Sequence, residues 1–211
     1  MDKEFSLDMN MIRKLYDWVL HWSETPYGPV VLFLLAFAES SFFPIPPDVL
    51  LIALALGARN KSLYFALLCS IASIAGGLFG YGIGHFLWWE GSAYSGIAHF
   101  FFNNIPGFTE HLFTSIQHQY SEYGFVIIFT AGFTPIPYKI FTISAGAFDI
   151  SFPLFLIASM ISRSARFFLV AGLIWKFGKP ISTFIDKYFN LLTIIFTILL
   201  IGGFLIIRLI L

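Results

Sequence analysis

Five charged side chains stand inside apolar stretches of this 211-residue chain, where they could bind a charged group or exchange protons. Two are acids, Glu39 and Asp48, and three are bases, Lys139, Arg163 and Arg166. A guanidinium is a planar fork of donors that matches the oxygens of a phosphate. Carboxylates inside a membrane are candidate proton carriers. Because the bases outnumber the acids, the set favours an anionic ligand.

Arg163 is the base that lies deepest in an apolar stretch. It is 12 residues from both Ser151 and Trp175, which is about 18 Å from either end at a rise of about 1.5 Å per residue. An unpaired arginine at that depth costs about 2.5–3.5 kcal/mol on insertion scales. Two interpretations are open at this point. The charges form a neutralising ion-pair network, or they line an intramembrane cavity that binds a charged group.

The tripeptide Pro-Ile-Pro occurs twice, 91 residues apart, next to these charges. The first break covers residues 44–47 and is followed directly by Asp48. The second covers residues 135–137 and is separated from Lys139 by Tyr138. The prolines that interrupt the two apolar segments are Pro44, Pro46, Pro47, Pro135 and Pro137. Proline disrupts a helix interior. A broken apolar segment in matching positions points to the binding site of a transporter.

Composition indicates an all-α integral membrane protein. The chain is 58% hydrophobic and 11% charged, with a formal net charge of zero, which is too apolar for an ordinary soluble domain. Zero net charge argues against general nucleic-acid binding. The sequence has no phosphate-binding loop, nucleophile elbow or zinc-protease motif. It therefore predicts a protein that is not an enzyme and needs neither a cofactor nor a metal.

The apolar runs predict two repeats, each with a broken segment followed by one long span. The first long span covers residues 62–89 and the second covers 151–175, while 108–122 is predicted to be a separate amphipathic helix after a loop. Small residues recur every fourth position along one face of the first span, which predicts close helix packing at Gly76, Gly80 and Gly84. The predicted organisation is an amphipathic segment over 1–27, a first repeat over 28–89, an external loop and amphipathic helix over 90–122, a second repeat over 123–178, and an amphipathic linker with a C-terminal span over 179–211.

The broken segments have two possible topologies, a single kinked span or a re-entrant hairpin. Residues 28–43 and 49–56 are each shorter than the roughly 20 residues that a crossing needs. If the hairpins re-enter, the second repeat is inverted and eight of the 12 Lys and Arg residues fall on one side. By the positive-inside rule that side is cytoplasmic and holds the N-terminus. We therefore favour re-entrant hairpins in an inverted repeat, with the tips that carry Asp48 and Lys139 meeting at mid-membrane.

Short motifs in this chain resemble the DedA family of bacterial inner-membrane proteins, relatives of the SNARE-associated Golgi (VTT-domain) proteins. The resemblance covers about residues 28–178. It rests on Phe37-Ala38-Glu39 with the first break and Asp48, on Gly80-Tyr81-Gly82-Ile83-Gly84, on Gly132-Phe133-Thr134-Pro135 through Lys139, and on Gly146.

The resemblance implies facing re-entrant hairpins and translocation of polyprenyl phosphates or phospholipids, in some members linked to protons. It also implies that Glu39 and Asp48 match the family's essential acids. The family usually carries an arginine where this chain has Gly132, and another that Lys139 approximates. We expect Arg163 and Arg166 to supply the missing guanidinium charge.

Two other functions stay open at this stage: a membrane scaffold for envelope maintenance or protein insertion, and a small-solute/proton antiporter. An open cavity at the buried charges would favour transport. Full pairing without access would favour a scaffold.

Overall fold

The structure, a computed structural model, describes residues 21–23, 25–43, 45–105, 108–134 and 136–178. The predictions for the N-terminal amphipathic segment and for the C-terminal linker and span fall almost entirely outside these residues. Pro44 and Pro135 also lie outside them. The described part of the chain is mostly helical, as its composition predicts.

Seven α-helices and one short hairpin follow in order along the described residues. The broken first segment gives α1 (Gly28–Ser41) and α2 (Asp48–Gly57), and a 3₁₀ turn (Arg59–Lys61) leads into the long helix α3 (Ser62–Trp88). The connecting region contains β1 (Trp89–Glu90), β2 (Ala93–Tyr94) and α4 (Gly96–Asn104). The second half consists of α5 (Glu110–Phe133), α6 (Tyr138–Ala147) and α7 (Phe152–Phe177).

Two of the described helices are long and apolar enough to cross a membrane: α3 together with its preceding 3₁₀ turn, and α7. Their bounds lie within two residues of the predicted spans. Three of the four helices beside the proline breaks are much shorter, with 14 residues in α1 and 10 in each of α2 and α6. At about 1.5 Å per residue, none of these three helices reaches the roughly 30 Å of a hydrocarbon core.

Helix α5 differs from the prediction, which separated an amphipathic helix over 108–122 from a new apolar arm. The structure has one continuous helix of 24 residues instead. Gly124 stands at the expected boundary, but a lone glycine costs only about 1 kcal/mol in a helix. Gly124 is buried, and a Cβ atom built on it would lie 3.5 Å from the Leu154 side chain and 3.6 Å from that of Ile150. Packing against these two residues therefore stabilises a continuous helix at Gly124.

The connecting region after α3 is also more ordered than the predicted loop. The hairpin and α4 lie within it, and the Ser95 side chain caps α4 by accepting a hydrogen bond from the Ala98 amide. Aromatic rings hold the helix in place, because Phe101 and Phe102 lie within 6 Å of the Trp88 ring. A Ser-Gly pair followed by an apolar, Phe-rich stretch was the available signal for this helix.

The glycine face of α3 is where two other helices make their closest approach. A Cβ atom at Gly76 would overlap the carbonyl oxygen of Phe37 in α1, and one at Gly84 would overlap the carbonyl oxygen of Ile143 in α6. Gly80 lies between them and contacts Thr142 of α6. Absence of side chains at these positions lets α1 and α6 pack backbone to backbone against α3.

Helix α3 and the residues flanking it donate hydrogen bonds to backbone groups at both ends of α7. Arg59, in the turn before α3, donates from Nε to the carbonyl of Trp175 (2.6 Å) and from Nη2 to that of Lys176 (2.5 Å), at the end of α7. At the other end, the last residue of α6 and the turn before α7 accept from the strand after α3 and from α3 itself. The Tyr81 hydroxyl donates to the Ile150 carbonyl at 2.6 Å, and Trp89 donates to the Ala147 carbonyl at 2.9 Å.

Candidate functional site

The Arg163 guanidinium is buried at the point where α1, α3 and α7 meet, with only 2% of its side chain exposed. Its Nη2 donates to Oε2 of Glu39 at 2.7 Å, and its Nε donates to the Ser73 hydroxyl at 2.5 Å. The deep arginine thus has a carboxylate partner from α1. A charge-assisted bond of this kind offsets part of the cost of burying the two ions.

Aromatic rings enclose the same guanidinium. Its Cζ lies 4.9 Å from the centre of the Tyr138 ring and 4.7 Å from that of Phe167. Tyr138 is itself fully buried and donates its hydroxyl to Ser159 at 2.5 Å. Contacts between a desolvated cation and the faces of aromatic rings are worth about 2 kcal/mol or more. Tyr138, which follows the second break directly, therefore belongs to the site.

Arg166 joins the two proline breaks. Its Nη2 and Nε donate to the two carboxylate oxygens of Asp48 at 2.8 and 3.2 Å, a bidentate pair. Its Nη1 donates to the carbonyl of Thr134, the residue just before the second break. No amide of a continuing helix donates to that carbonyl, because Pro137 interrupts the helix and α6 begins at Tyr138. One guanidinium thus satisfies a charge beside the first break and an open backbone group at the second.

Asp48 and Lys139 do not pair with each other, although the repeat offset suggested that their hairpin tips meet. Residues beside both proline breaks do come together, but at Arg166. Asp48 is the first residue of α2, where the helix dipole favours a negative charge. Two parallel donors on a guanidinium fit a carboxylate better than the point charge of an ammonium. Lys139 is half-buried and makes no ion pair with any residue that the structure describes.

All four charges around Arg163 and Arg166 are therefore satisfied. The carboxylates of Glu39 and Asp48 are 13% and 14% exposed, and Arg166 is 11% exposed. This arrangement is the paired, inaccessible one that we set against an open cavity. A cavity of about 570 Å³ lies elsewhere, where the start of α1 meets the end of α2. We call the paired arrangement of the four charges the closed state.

Other positions flagged in the sequence lie around this cluster. Pro47 is buried and precedes α2, while Pro46 and Pro137 are exposed in the two breaks. Gly132, where the resembled family carries an arginine, is buried so closely against Ser162 that a Cβ would overlap the Ser162 hydroxyl. Arg163 is the next residue of α7. Gly132, the position on α5 without an arginine, therefore lies against α7, the helix that carries Arg163 and Arg166.

Sequence reasoning missed the hydroxyl groups of the site. Ser40 and Ser73 are both fully buried, and their hydroxyl oxygens lie 2.6 Å apart. Thr142 is also buried and donates to the Ser40 carbonyl at 3.1 Å. Small hydroxyl residues on apolar helices usually indicate close packing. The available signal was that Ser40 adjoins Glu39 and that Ser73 lies three residues before the glycine face.

Comparison with known proteins places the chain in a family. Residues 43–176 match the VTT domain, a stretch that includes Asp48, Lys139, Arg163 and Arg166 and begins just after Glu39. An uncharacterized protein of Haemophilus influenzae is 36% identical over 170 residues, which is 78% of this chain and 81% of that protein.

A second uncharacterized protein, from Histophilus somni, is 34% identical over 171 residues, covering 81% of this chain and 85% of its own length. No solved structure matches the chain. A domain match over more than half of the chain, together with relatives of this similarity over more than four fifths of their length, assigns membership. The chain belongs to the VTT-domain (DedA) family of membrane proteins.

Proposed function

We propose that this protein moves lipids with a phosphate headgroup, such as polyprenyl phosphate or a phospholipid, between the leaflets of the bacterial inner membrane. The observation that carries the proposal is the pair of buried guanidiniums, Arg163 and Arg166, held at the two proline breaks. Guanidinium is the side-chain group best matched to phosphate oxygens. Buried ionisable groups in a membrane protein mark substrate and proton pathways. The protein acts as a transporter and not as an enzyme.

The proposed topology is an inverted repeat of two re-entrant hairpins, with the N-terminus in the cytoplasm. Two features support it. Helices α1, α2 and α6, beside the breaks, are too short to cross. Two of the eight Lys and Arg residues predicted to share one side lie next to each other, since Arg59 donates to the Lys176 carbonyl. Backbone opened at membrane depth is tolerated where protein satisfies it, as Arg166 satisfies the Thr134 carbonyl.

The proposed mechanism is an exchange of anions on the arginines. In the closed state, Glu39 and Asp48 occupy the donor groups that a phosphate would use. A proton on either acid removes its negative charge and releases the guanidinium for a headgroup. Lys139, which has no ion-pair partner among the described residues, adds a second cation beside the second break. The apolar tail stays in lipid beside the hairpins, and loss of the proton restores the ion pair and expels the headgroup.

Reconstitution in liposomes with a leaflet-resolved assay tests this mechanism. We expect the wild-type protein to move labelled polyprenyl phosphate or phosphatidylglycerol faster under a pH gradient, and to leave labelled diacylglycerol, which lacks phosphate, in place. Glu39→Gln keeps the size of the side chain and stays neutral at any pH. We therefore expect this variant to lose most of the response to the gradient. Transfer of no phosphate lipid, or equal transfer of diacylglycerol, would contradict the proposal.

A membrane scaffold is the second candidate, because both ion pairs are satisfied in the closed state, which is the arrangement that we took from the sequence to favour a scaffold. In a scaffold the pairs would only join α1 and α2 to α7. The double variant Glu39→Gln/Arg163→Gln distinguishes the two functions, since it removes both charges together and leaves neither ion buried alone.

If the protein is a scaffold, we expect the double variant to fold and to complement a strain that lacks the gene. If it is a transporter, we expect a folded protein that neither complements nor moves phosphate lipid. Stability is measured in parallel by thermal unfolding in detergent. Full complementation by the double variant would rule out the exchange mechanism.

A further inference from the structure

Two serines complete a closed circuit of hydrogen bonds around the Arg163–Glu39 pair. The Ser73 hydroxyl lies 2.5 Å from Nε of Arg163 and 2.6 Å from the Ser40 hydroxyl. The Ser40 hydroxyl lies 3.1 Å from Oε2 of Glu39, which is 2.7 Å from Nη2 of the same arginine. The circuit connects α1, α3 and α7, and all of its members except Glu39 are buried.

The direction of each bond follows from the chemistry of the end groups. Arginine has donors only, and an ionised carboxylate has acceptors only. Ser73 must therefore accept from Arg163, and Ser40 donates its single proton to Glu39. The proton between the two serines then comes from Ser73. Ser73 thus has one donor role and one acceptor role, while Ser40 donates to Glu39 and accepts from Ser73 and also, at 3.4 Å, from Nη2 of Arg163. Neither hydroxyl has a proton left over.

We propose that Ser73 is a positioning residue that holds the Arg163 guanidinium by its Nε, with Ser40 completing the contact to Glu39. With Nε held by Ser73, the guanidinium keeps its orientation when Glu39 leaves, and only its Nη edge is presented to the incoming group. This inference rests on the proposed exchange of a phosphate headgroup for Glu39. It adds that the protein fixes the plane of the guanidinium through α3, a helix that contributes no charge to the two buried pairs.

Ser70 provides a matched control on the same helix. It is buried to the same degree as Ser73, but its hydroxyl donates to the carbonyl of Ala66 in its own helix at 2.8 Å. Ser70→Ala and Ser73→Ala therefore remove the same atom from similar surroundings. Only the second change removes a partner of Arg163.

The first measurement is the rate of phosphate-lipid transfer in liposomes. We expect Ser73→Ala to lower the rate about tenfold, since a hydrogen bond to a charged group is lost from a buried site. We expect Ser70→Ala to stay within about twofold of wild type, because its bond is a local one to the helix backbone. Ser73→Thr keeps the hydroxyl and should recover most of the rate. A Ser73→Ala rate equal to that of Ser70→Ala would overturn the proposal.

The second measurement reads the circuit directly and does not depend on transport. The Nε–H signal of Arg163 in ¹⁵N NMR spectra, identified by its loss in Arg163→Lys, should exchange with solvent about tenfold faster in Ser73→Ala and not in Ser70→Ala. If the wild-type protein moves no lipid, the proposed function fails while this measurement still tests the positioning. Unchanged exchange in Ser73→Ala would disprove the circuit even if transport is found.

A double-mutant cycle separates the circuit from ordinary packing. Ser40→Ala and Ser73→Ala each open the same circuit, so the double variant should have nearly the same Nε–H exchange as either single variant. If the two changes acted through independent packing effects, their fold-changes in the Nε–H exchange rate would multiply in the double variant. That result would show that the two hydroxyls act separately and would refute the shared circuit.

Discussion

Arg163→Ala should abolish phosphate-lipid transfer and lower the free energy of unfolding by about 3–5 kcal/mol, the cost of breaking a buried ion pair. The change leaves Glu39 without its cation in a site where the carboxylate is only 13% exposed. It also removes the cation between the Tyr138 and Phe167 rings. Transfer is measured in liposomes and stability by unfolding in bicelles. Glu39→Ala should be about as severe, because it strands the opposite charge.

Arg59→Ala is the control for this prediction. Arg59 is exposed, and its guanidinium binds the carbonyls at the end of α7 and no other group of the described residues. Its loss should therefore change transfer by less than about twofold and stability by much less than the loss of Arg163. A fully active Arg163→Ala protein would contradict the role given to this residue. It would also remove the explanation offered for the missing arginine at Gly132.

Gly84→Ala should be the most damaging of the single-methyl changes on the glycine face of α3. The new Cβ would overlap the carbonyl oxygen of Ile143, a backbone atom of α6 that cannot rotate away. Helices α3 and α6 must then separate, at a cost of about 1–3 kcal/mol for overpacking. Because α6 begins with Tyr138, the displacement would also loosen one wall of the arginine site. Unfolding in bicelles measures the cost.

Gly82→Ala gives the opposite expectation on the same helix. A Cβ at Gly82 meets only ring atoms of Phe86, at 3.9 and 4.0 Å, which is ordinary contact. Alanine is the better helix former, so this variant should be equal to wild type or more stable by about 0.5–1 kcal/mol. If Gly84→Ala were as stable as Gly82→Ala, the close approach of α3 and α6 would be wrong.

The helices of this fold were predictable where the ends of apolar runs and the positions of prolines indicate the same helix bounds. Both long spans, and the short helices before and after Pro46 and Pro47, lie within about two residues of their predicted bounds. The sequence was less informative where packing overrides local signals. Gly124 does not end α5, since side chains from the turn before α7 and from α7 itself surround it. Helix α4 depends on contacts with Trp88 that no local pattern reveals.

The charged members of the site were identifiable one by one, because an ionised group in an apolar run is conspicuous. Their pairing was not. The repeat offset matched Asp48 with Lys139, whereas α7 crosses both breaks and brings Arg166 to Asp48. Which acid meets which base depends on helix crossings that involve residues more than 100 positions apart. The serines were missed for a related reason: the sequence does not show which group forms a hydrogen bond with a serine hydroxyl.

The contacts at the two ends of α7 have a consequence for how the two halves of the chain relate. All three donors lie in the first half: Arg59 donates to the last turn of α7, Tyr81 to the turn before α7, and Trp89 to the last residue of α6. The first half of the chain thus satisfies backbone carbonyls at both ends of the last described helix. A rearrangement that separates α3 from α7 must therefore leave carbonyls at both ends of α7 without their donors.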